Sequence, residues 1–444
     1  VGWFGLINFN PKKDFVMKNK SIFTLWLAGG LWLAQACDLR VIDNPVAITP
    51  ESATNAAGTV ALTANALKNG FEAYQQITWS AGLVGQEELR SIGQAGQFLF
   101  ASRIVQEGVV AADNSQNTTN ARRAYTAFAL VADALNGIQR NTFSANPPQD
   151  AKAKALLTAN VRVVEGLLYA NLGKFYEQVP EPGTGNLLSP EEAKTRAIAA
   201  LQAAKTAFQQ YTAATVPDPV VGGASVATGL LNNANRSGEK FCDSYIGLLH
   251  FDTGTRDQAG PFLANGYVPA DQATQVGYRV INALTGPGLY PPAVNYVSFS
   301  VNDYSTSFVN ERLPGDVNRR GAPVNWFDAT VPLATRINYF YPVPPGPGAV
   351  TPVVLYPLVS WQEVALMRAE LGQAEVAQTV QQVVQSWGVP AAQAQEIAND
   401  RATYPLARIA RYEYVGRGRR WSAVNAQRPN TYRRWPLSQE FSLR

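Results

Sequence analysis

"EGLLYANLGKFYEQVPEPGTGNLLSPEEAKTRAIAALQAAKTAF", residues 165–208, decides the fold. Its first part closes a run in which Leu157, Val161, Val164, Leu168, Leu172 and Phe175 recur at three- and four-residue steps. That spacing puts them on one continuous helical stripe. Its last part opens on Ser189-Pro190-Glu191-Glu192. Serine can cap a helix, proline fits the first turn, and glutamate three places on completes a capping box. A second stripe follows in Ala197, Leu201, Ala204, Phe208 and Tyr211. Between the two lies "QVPEPGTGNLLSP", residues 178–190, a Pro/Gly break that stops one helix and aims the next.

The same periodicity extends outward over segments near 52–77, 85–110, 115–138, 150–177 and 190–212, all rich in Ala, Leu and Gln. Leu167 to Gln178 has the small–aromatic–glycine rhythm of a tetratricopeptide first helix. No strict 34-residue period is present, so such units are degenerate; an irregular helical bundle is the alternative. From 213 to 356 Gly, Pro, Asn, Tyr, Phe and Val dominate, and a helix is expected only around Gly238–Leu249. "TGPGLYPPAVNYVSFSVNDYSTSF" (285–308) and "NYFYPVPPGPGAVTPVV" (338–354) are too broken by proline for helix. They are also too aromatic for a disordered linker. Helix returns at Ser360-Trp361-Gln362-Glu363, a second capping box, with further helices near 373–387 and 390–401. The expected architecture is mainly α: degenerate tetratricopeptide-like helix pairs, a long loop-rich and aromatic-rich insertion, and a short C-terminal basic segment.

At the other end, Met17-Lys18-Asn19-Lys20 is a basic start. The apolar Ile22 to Ala36 follows, with Ala34 and Ala36 small at its end, and then Cys37-Asp38. Basic, apolar, small is the order of a secretory signal. The apolar run falls short of the roughly 20 residues that span a bilayer. A cysteine at the cut allows lipid on its thiol and, after cleavage, on its new amino group. Cys37 is therefore the candidate lipidation site, with an ordinary signal peptide and an incidental cysteine as the alternative. Residues 1–16 fit neither reading, and Met17 is a natural start. The expected divisions are 1–36 leader and signal, 37–212 helical, 213–356 loop-rich and ligand-facing, and 357–444 C-terminal helices and basic tail. The last three are expected to pack as one domain.

Loss of the leader lowers the formal charge from +4 to about +1, which leaves little whole-chain attraction for a polyanion. Cys242 becomes the one thiol, and His250 is the sole histidine. Paired-histidine metal sites, CxxC motifs and intrachain disulfides are thereby excluded after Cys37. No metal, no cofactor and no catalytic residue is expected. Two carboxylates suffice for a glycosidase, so a surface hydrolase remains a minor alternative.

Several pieces together resemble the SusD/RagB family of outer-membrane nutrient-binding lipoproteins. After Cys37 comes "DLRVIDNP", similar to the short acidic, Asn-Pro segment of many members. "EGLLYANLGKFYEQVPEP" resembles the family's long helix ending in an aromatic turn and Val-Pro, and "LSPEEAKTRAIAALQAAKTAF" its following helix. "YPLVSWQEVALMRAELGQ" resembles an apolar, strand-like segment leading into a helix that ends Met-Arg-Ala-Glu. "ARIARYEYVGRGRRWSAVNAQRPNTYRRWPLSQE" is similar to the closing Gly-x-Arg-Trp and Trp-Pro pattern, with Arg417 where the family carries an acid. The resemblance implies a surface-exposed, lipid-anchored, non-enzymatic protein that binds an oligosaccharide or peptide. It also implies delivery to a SusC-like TonB-dependent transporter. An extracellular helical-repeat scaffold binding other proteins is the alternative.

Sugar rings stack their C–H faces on flat aromatic side chains while Asn and Asp bind hydroxyls at the rim. The insertion supplies both, and Tyr296, Tyr304 and Trp326 are its ligand-binding candidates. Trp79, in "YQQITWSAGL", is expected in a loop after the first helix, where family members often place a ligand-facing aromatic. Each could instead be a loop anchor buried against the helices. The basic tail interleaves Tyr412, Tyr414, Trp421, Tyr432 and Trp435 with arginines, a pattern that can bind nucleic acid. Export argues for the other use, in which arginines fix the tail through bidentate carboxylate pairs and stacking on Trp, with Arg368 and Glu370 as candidate members. No nucleic-acid partner is expected.

Overall fold

The computed structural model describes residues 54–84, 115–252, 255–280 and 354–413. The leader with Cys37, the expected 85–110 helix, most of the insertion and the tail beyond 413 lie outside the described residues. All described residues belong to one compact unit.

The fold is mainly α, and its centre is the helix read first. Pro147–Phe175 (α3) is buried on nearly every face, from Ala153 through Phe175, far more than a single stripe requires. All six residues of the first stripe are in the core. The earlier helices Ala56–Val84 (α1) and Ser115–Arg140 (α2) cover it on one side, and Pro190–Ala213 (α4) on the other. The chain then runs on through Ser237–Asp252 (α5) and Ala259–Asn265 (α6), each packed on its predecessor. Glycine permits the closest crossings. A Cβ at Gly166 of α3 would lie 2.7 Å from Leu201 Cγ, and one at Gly238 of α5 would lie 2.7 Å from Phe208 Cε2. No side chain larger than hydrogen fits either crossing unless its neighbour moves.

The helix ends follow the capping chemistry. Ser189 Oγ accepts from Glu192 N, and Glu192 accepts in return from Ser189 N at 2.7 Å, the reciprocal box expected at α4. The preceding Pro/Gly break is a hairpin: Val179–Pro180 (β1) pairs antiparallel with Leu187–Leu188 (β2). Gly183 and Gly185 turn it at φ of 78° and 73°. A second small hairpin joins Val220–Val221 (β3) to Ala224–Ser225 (β4).

The C-terminal helices are Trp361–Glu370 (α7), Val376–Ser386 (α8), Ala391–Asn399 (α9) and Leu406–Glu413 (α10). Ser360 caps α7, accepting from Glu363 N at 3.1 Å. Ahead of it, Val354–Pro357 (β6) pairs antiparallel with Gly277–Val280 (β5), in register from Gly277↔Pro357 to Val280↔Val354. The strand-like lead-in to the Met-Arg-Ala-Glu helix is thus a strand.

Three expectations are corrected. The first helix does not stop near 77 but runs to Val84, so Trp79 stands inside a helix and not in a loop. Gly82 is the one weak helix former there, and a single glycine costs only about 1 kcal/mol. The region after 213 contains, besides α5 where a helix was expected around Gly238–Leu249, the unexpected helix α6, which packs on it. Pro261 falls in the first turn of α6, where a missing N–H breaks no helical bond. Last, residues 406–413 of the basic tail form helix α10.

Candidate functional site

The four ligand-binding candidates divide unequally. Tyr296, Tyr304 and Trp326 lie outside the described residues, but all three fall in the 281–353 segment delivered between β5 and β6. The strands that flank that segment pair with each other as one antiparallel neck.

The neck is fixed at its base by buried polar contacts. Leu358 N donates to Val276 O at 3.0 Å, extending the ladder by one bond. Val276 N in turn donates to the Tyr267 hydroxyl at 2.9 Å, and that hydroxyl lies 3.3 Å from its own acceptor, Ser237 O. Tyr267, just past α6, is buried with its hydroxyl against the first residue of α5, and burial raises its phenol above the ordinary tyrosine value. Next to it, Gln275 Oε1 accepts from Trp361 N at 2.7 Å, tying the residue before the neck to the first turn of α7. Lys240 of α5 closes the set with a 2.6 Å ion pair to buried Asp271.

Trp79 stands on α1. Its position falls seven residues after Glu72 and eleven after Lys68, one stripe of α1. Lys68 and Glu72 form a part-exposed ion pair on that stripe. The opposite residues, Tyr74 and Thr78, are buried: Asn171 of α3 donates to Tyr74 O at 2.9 Å, and the Tyr74 hydroxyl meets that of Tyr245 at 3.0 Å.

The remaining ionisable groups are structural in their geometry. Asp243, 1% exposed, has Lys205 Nζ 2.8 Å from both oxygens, hydrogen-bonded to Oδ1 and in Coulombic contact with Oδ2. Burial raises its carboxyl above the ordinary 3.8, with Lys205 opposing. Glu239 accepts from Asn233 Nδ2, Arg236 and Gln209, three donors on one buried carboxylate. Cys242 is buried, and burial, then Asp243, pushes its thiol far up, away from the reactive thiolate. His250 is a helix-end residue in contact with Thr255 and Phe262. Among the described residues no group of three or more His, Cys, Asp or Glu is placed to hold a metal ion. No described helix is long and apolar enough to cross a membrane.

Glu370, a candidate partner for the tail, has its described ion pair elsewhere. It takes Arg256 at 2.7 Å, from the turn between α5 and α6, and both side chains are substantially exposed. Such a pair contributes no more than about 1 kcal/mol. Sequence reasoning missed the asparagine clamps and the Tyr267–Gln275 base. Single polar residues in apolar runs, such as Asn160 in "LLTANVRVVEG", were the available signal.

No family model matches the chain, and no curated protein matches it. One solved structure is similar to it. That structure is a SusD-like protein from Bacteroides fragilis, 12% identical, with a TM-score of 0.44 over 81% of this chain and 85% of that one.

Proposed function

We propose that this chain is a surface lipoprotein, lipidated at Cys37, that captures an oligosaccharide or peptide and passes it unchanged to a TonB-dependent outer-membrane transporter. Aromatic side chains of the 281–353 segment, Tyr296, Tyr304 and Trp326, together with Trp79, stack on the cargo. One observation carries the reading. The three quoted motifs that fall among the described residues have the local structure their resemblance implies: a long helix turning at Val179-Pro180, a capped second helix, and a strand leading into the Met-Arg-Ala-Glu helix. A lone lipid group holds a protein to a membrane only weakly, so retention at the surface depends on the transporter as well.

The binding half of the proposal is tested on native gels cast with neutral polysaccharides, and by calorimetry with mixed peptides. Retardation or heat is expected with one class. Trp79→Ala and Trp326→Ala are each expected to weaken it about tenfold or more, as removal of a buried aromatic anchor does. Retention of neither class, or binding indifferent to both substitutions, overturns the assignment of these residues. Release of shortened products would show a hydrolase instead.

A further inference from the structure

The one histidine sits where three helices meet. His250, in the last turn of α5, is 7% exposed, and its ring stacks on Phe262 of α6 with centroids 5.5 Å apart. Its Nδ1 lies 2.9 Å from Thr255 Oγ1. Lys194 Nζ of α4, itself buried, donates to that same hydroxyl at 2.9 Å. A hydroxyl has one proton to give. With Lys194 donating into it, the Thr255 proton goes to Nδ1 at 2.9 Å sooner than to His250 O at 3.5 Å. That arrangement requires a neutral ring carrying its proton on Nε2.

We infer that His250, Thr255 and Lys194 form a pH-sensitive latch, which joins α4, α5 and α6 while the imidazole is neutral and loosens when the ring gains a proton. Protonation would bracket one part-buried hydroxyl with two cations, and the surroundings offer little to neutralise the second. On α4, Glu191 is 3.9 Å from Lys194 but 69% exposed, so water screens it. On α3, Lys174 is already paired with Asp252 of α5 at 2.9 Å. On α7, Glu370 is taken by Arg256, whose guanidinium also stacks on Phe251 at 4.0 Å. Helix α6 contributes no charged residue. Asp257 and the carboxyl end of α5 favour the cation. Burial and Lys194 outweigh them, holding the ring below its ordinary 6.5.

The sign follows from linkage. The unfolded chain takes up the proton first, so the latch's contribution is whole above the ordinary value of 6.5 and is lost as pH falls from there toward the lowered folded value. The test is amide hydrogen exchange and thermal melting of the full chain between about pH 8 and pH 5, the range in which an imidazole titrates. Protection over residues 248–264 is expected to fall about tenfold at the acid end, and His250→Gln should flatten that change. Lys194→Met keeps the ring but removes the second cation, so its acid loss should shrink; it reads the same coupling if H250Q folds poorly. Acid loss in both variants equal to that of the wild type, or an acid response that leaves residues 248–264 unmoved, overturns the latch.

Discussion

Replacing Glu413 by alanine is expected to lower the unfolding free energy by about 2–4 kcal/mol, since two buried donors would each lose their acceptor. Glu413 ends α10 with no exposed surface. Its Oε1 accepts from Ser360 Oγ at 2.6 Å and its Oε2 from Trp387 Nε1 at 2.9 Å. Ser360 is the cap of α7, and Trp387 closes α8. One carboxylate therefore joins three helices at their ends. Alanine would strand the indole N–H in a site where Trp387 is 3% exposed. Glu413→Gln keeps the shape and one acceptor oxygen, so it should lose less. Urea unfolding of the two variants checks the order, and a midpoint unchanged in E413A would remove Glu413 from the account of how α10 is held.

The second large effect is expected at Asn160→Ala, at about 2–4 kcal/mol, since two buried backbone groups would each lose a partner. Asn160 sits in the interior of α3 with no exposed surface. Its Nδ2 donates to Leu231 O at 2.9 Å and its Oδ1 accepts from Leu231 N at 2.8 Å, so one side chain mimics a strand partner for a residue outside any strand. Asn233 repeats the device two residues on, donating to Glu239 Oε1 at 2.8 Å and to Thr212 Oγ1 at 2.7 Å, and accepting from Glu239 N. Together they fix the connection from α4 to α5. Asn160→Asp retains the acceptor but sets a carboxylate against the Leu231 carbonyl, so it is also expected to destabilise. Proteolysis near residues 228–234, measured beside urea unfolding, distinguishes a loosened connection from global loss; resistance equal to the wild type would show that the clamp is idle.

These polar clamps mark where the sequence was hardest to read. Apolar period and capping boxes expose α3 and α4 directly, because a stripe such as Leu157 to Phe175 and a box such as Ser189–Glu192 are local signals. The β5–β6 pairing is not local: its partners are brought together from either side of residues 281–353, and nothing in "GYRV" specifies "VLYP". Helix α6 hid behind Gly260 and Pro261, residues that break a helix interior but are harmless in a first turn. The loop expected at Trp79 leaned on the family resemblance, whereas no breaker between Ile77 and Val84 is strong enough to stop α1. Of the candidate site, the choice of Tyr296, Tyr304 and Trp326 rests on the sequence alone. The neck that flanks their segment was not legible, since Tyr267 and Gln275 act through side-chain hydrogen bonds to backbone atoms distant in sequence or in another element.

The proposal stands or falls on the anchor. Mass spectrometry of the mature protein, recovered from washed outer membranes, should find an amino-terminal peptide that begins at Cys37 and carries the added mass of acyl chains; Cys37→Ala should abolish that mass and release the chain from the membrane. A full-length, unacylated chain recovered from the soluble fraction would contradict it.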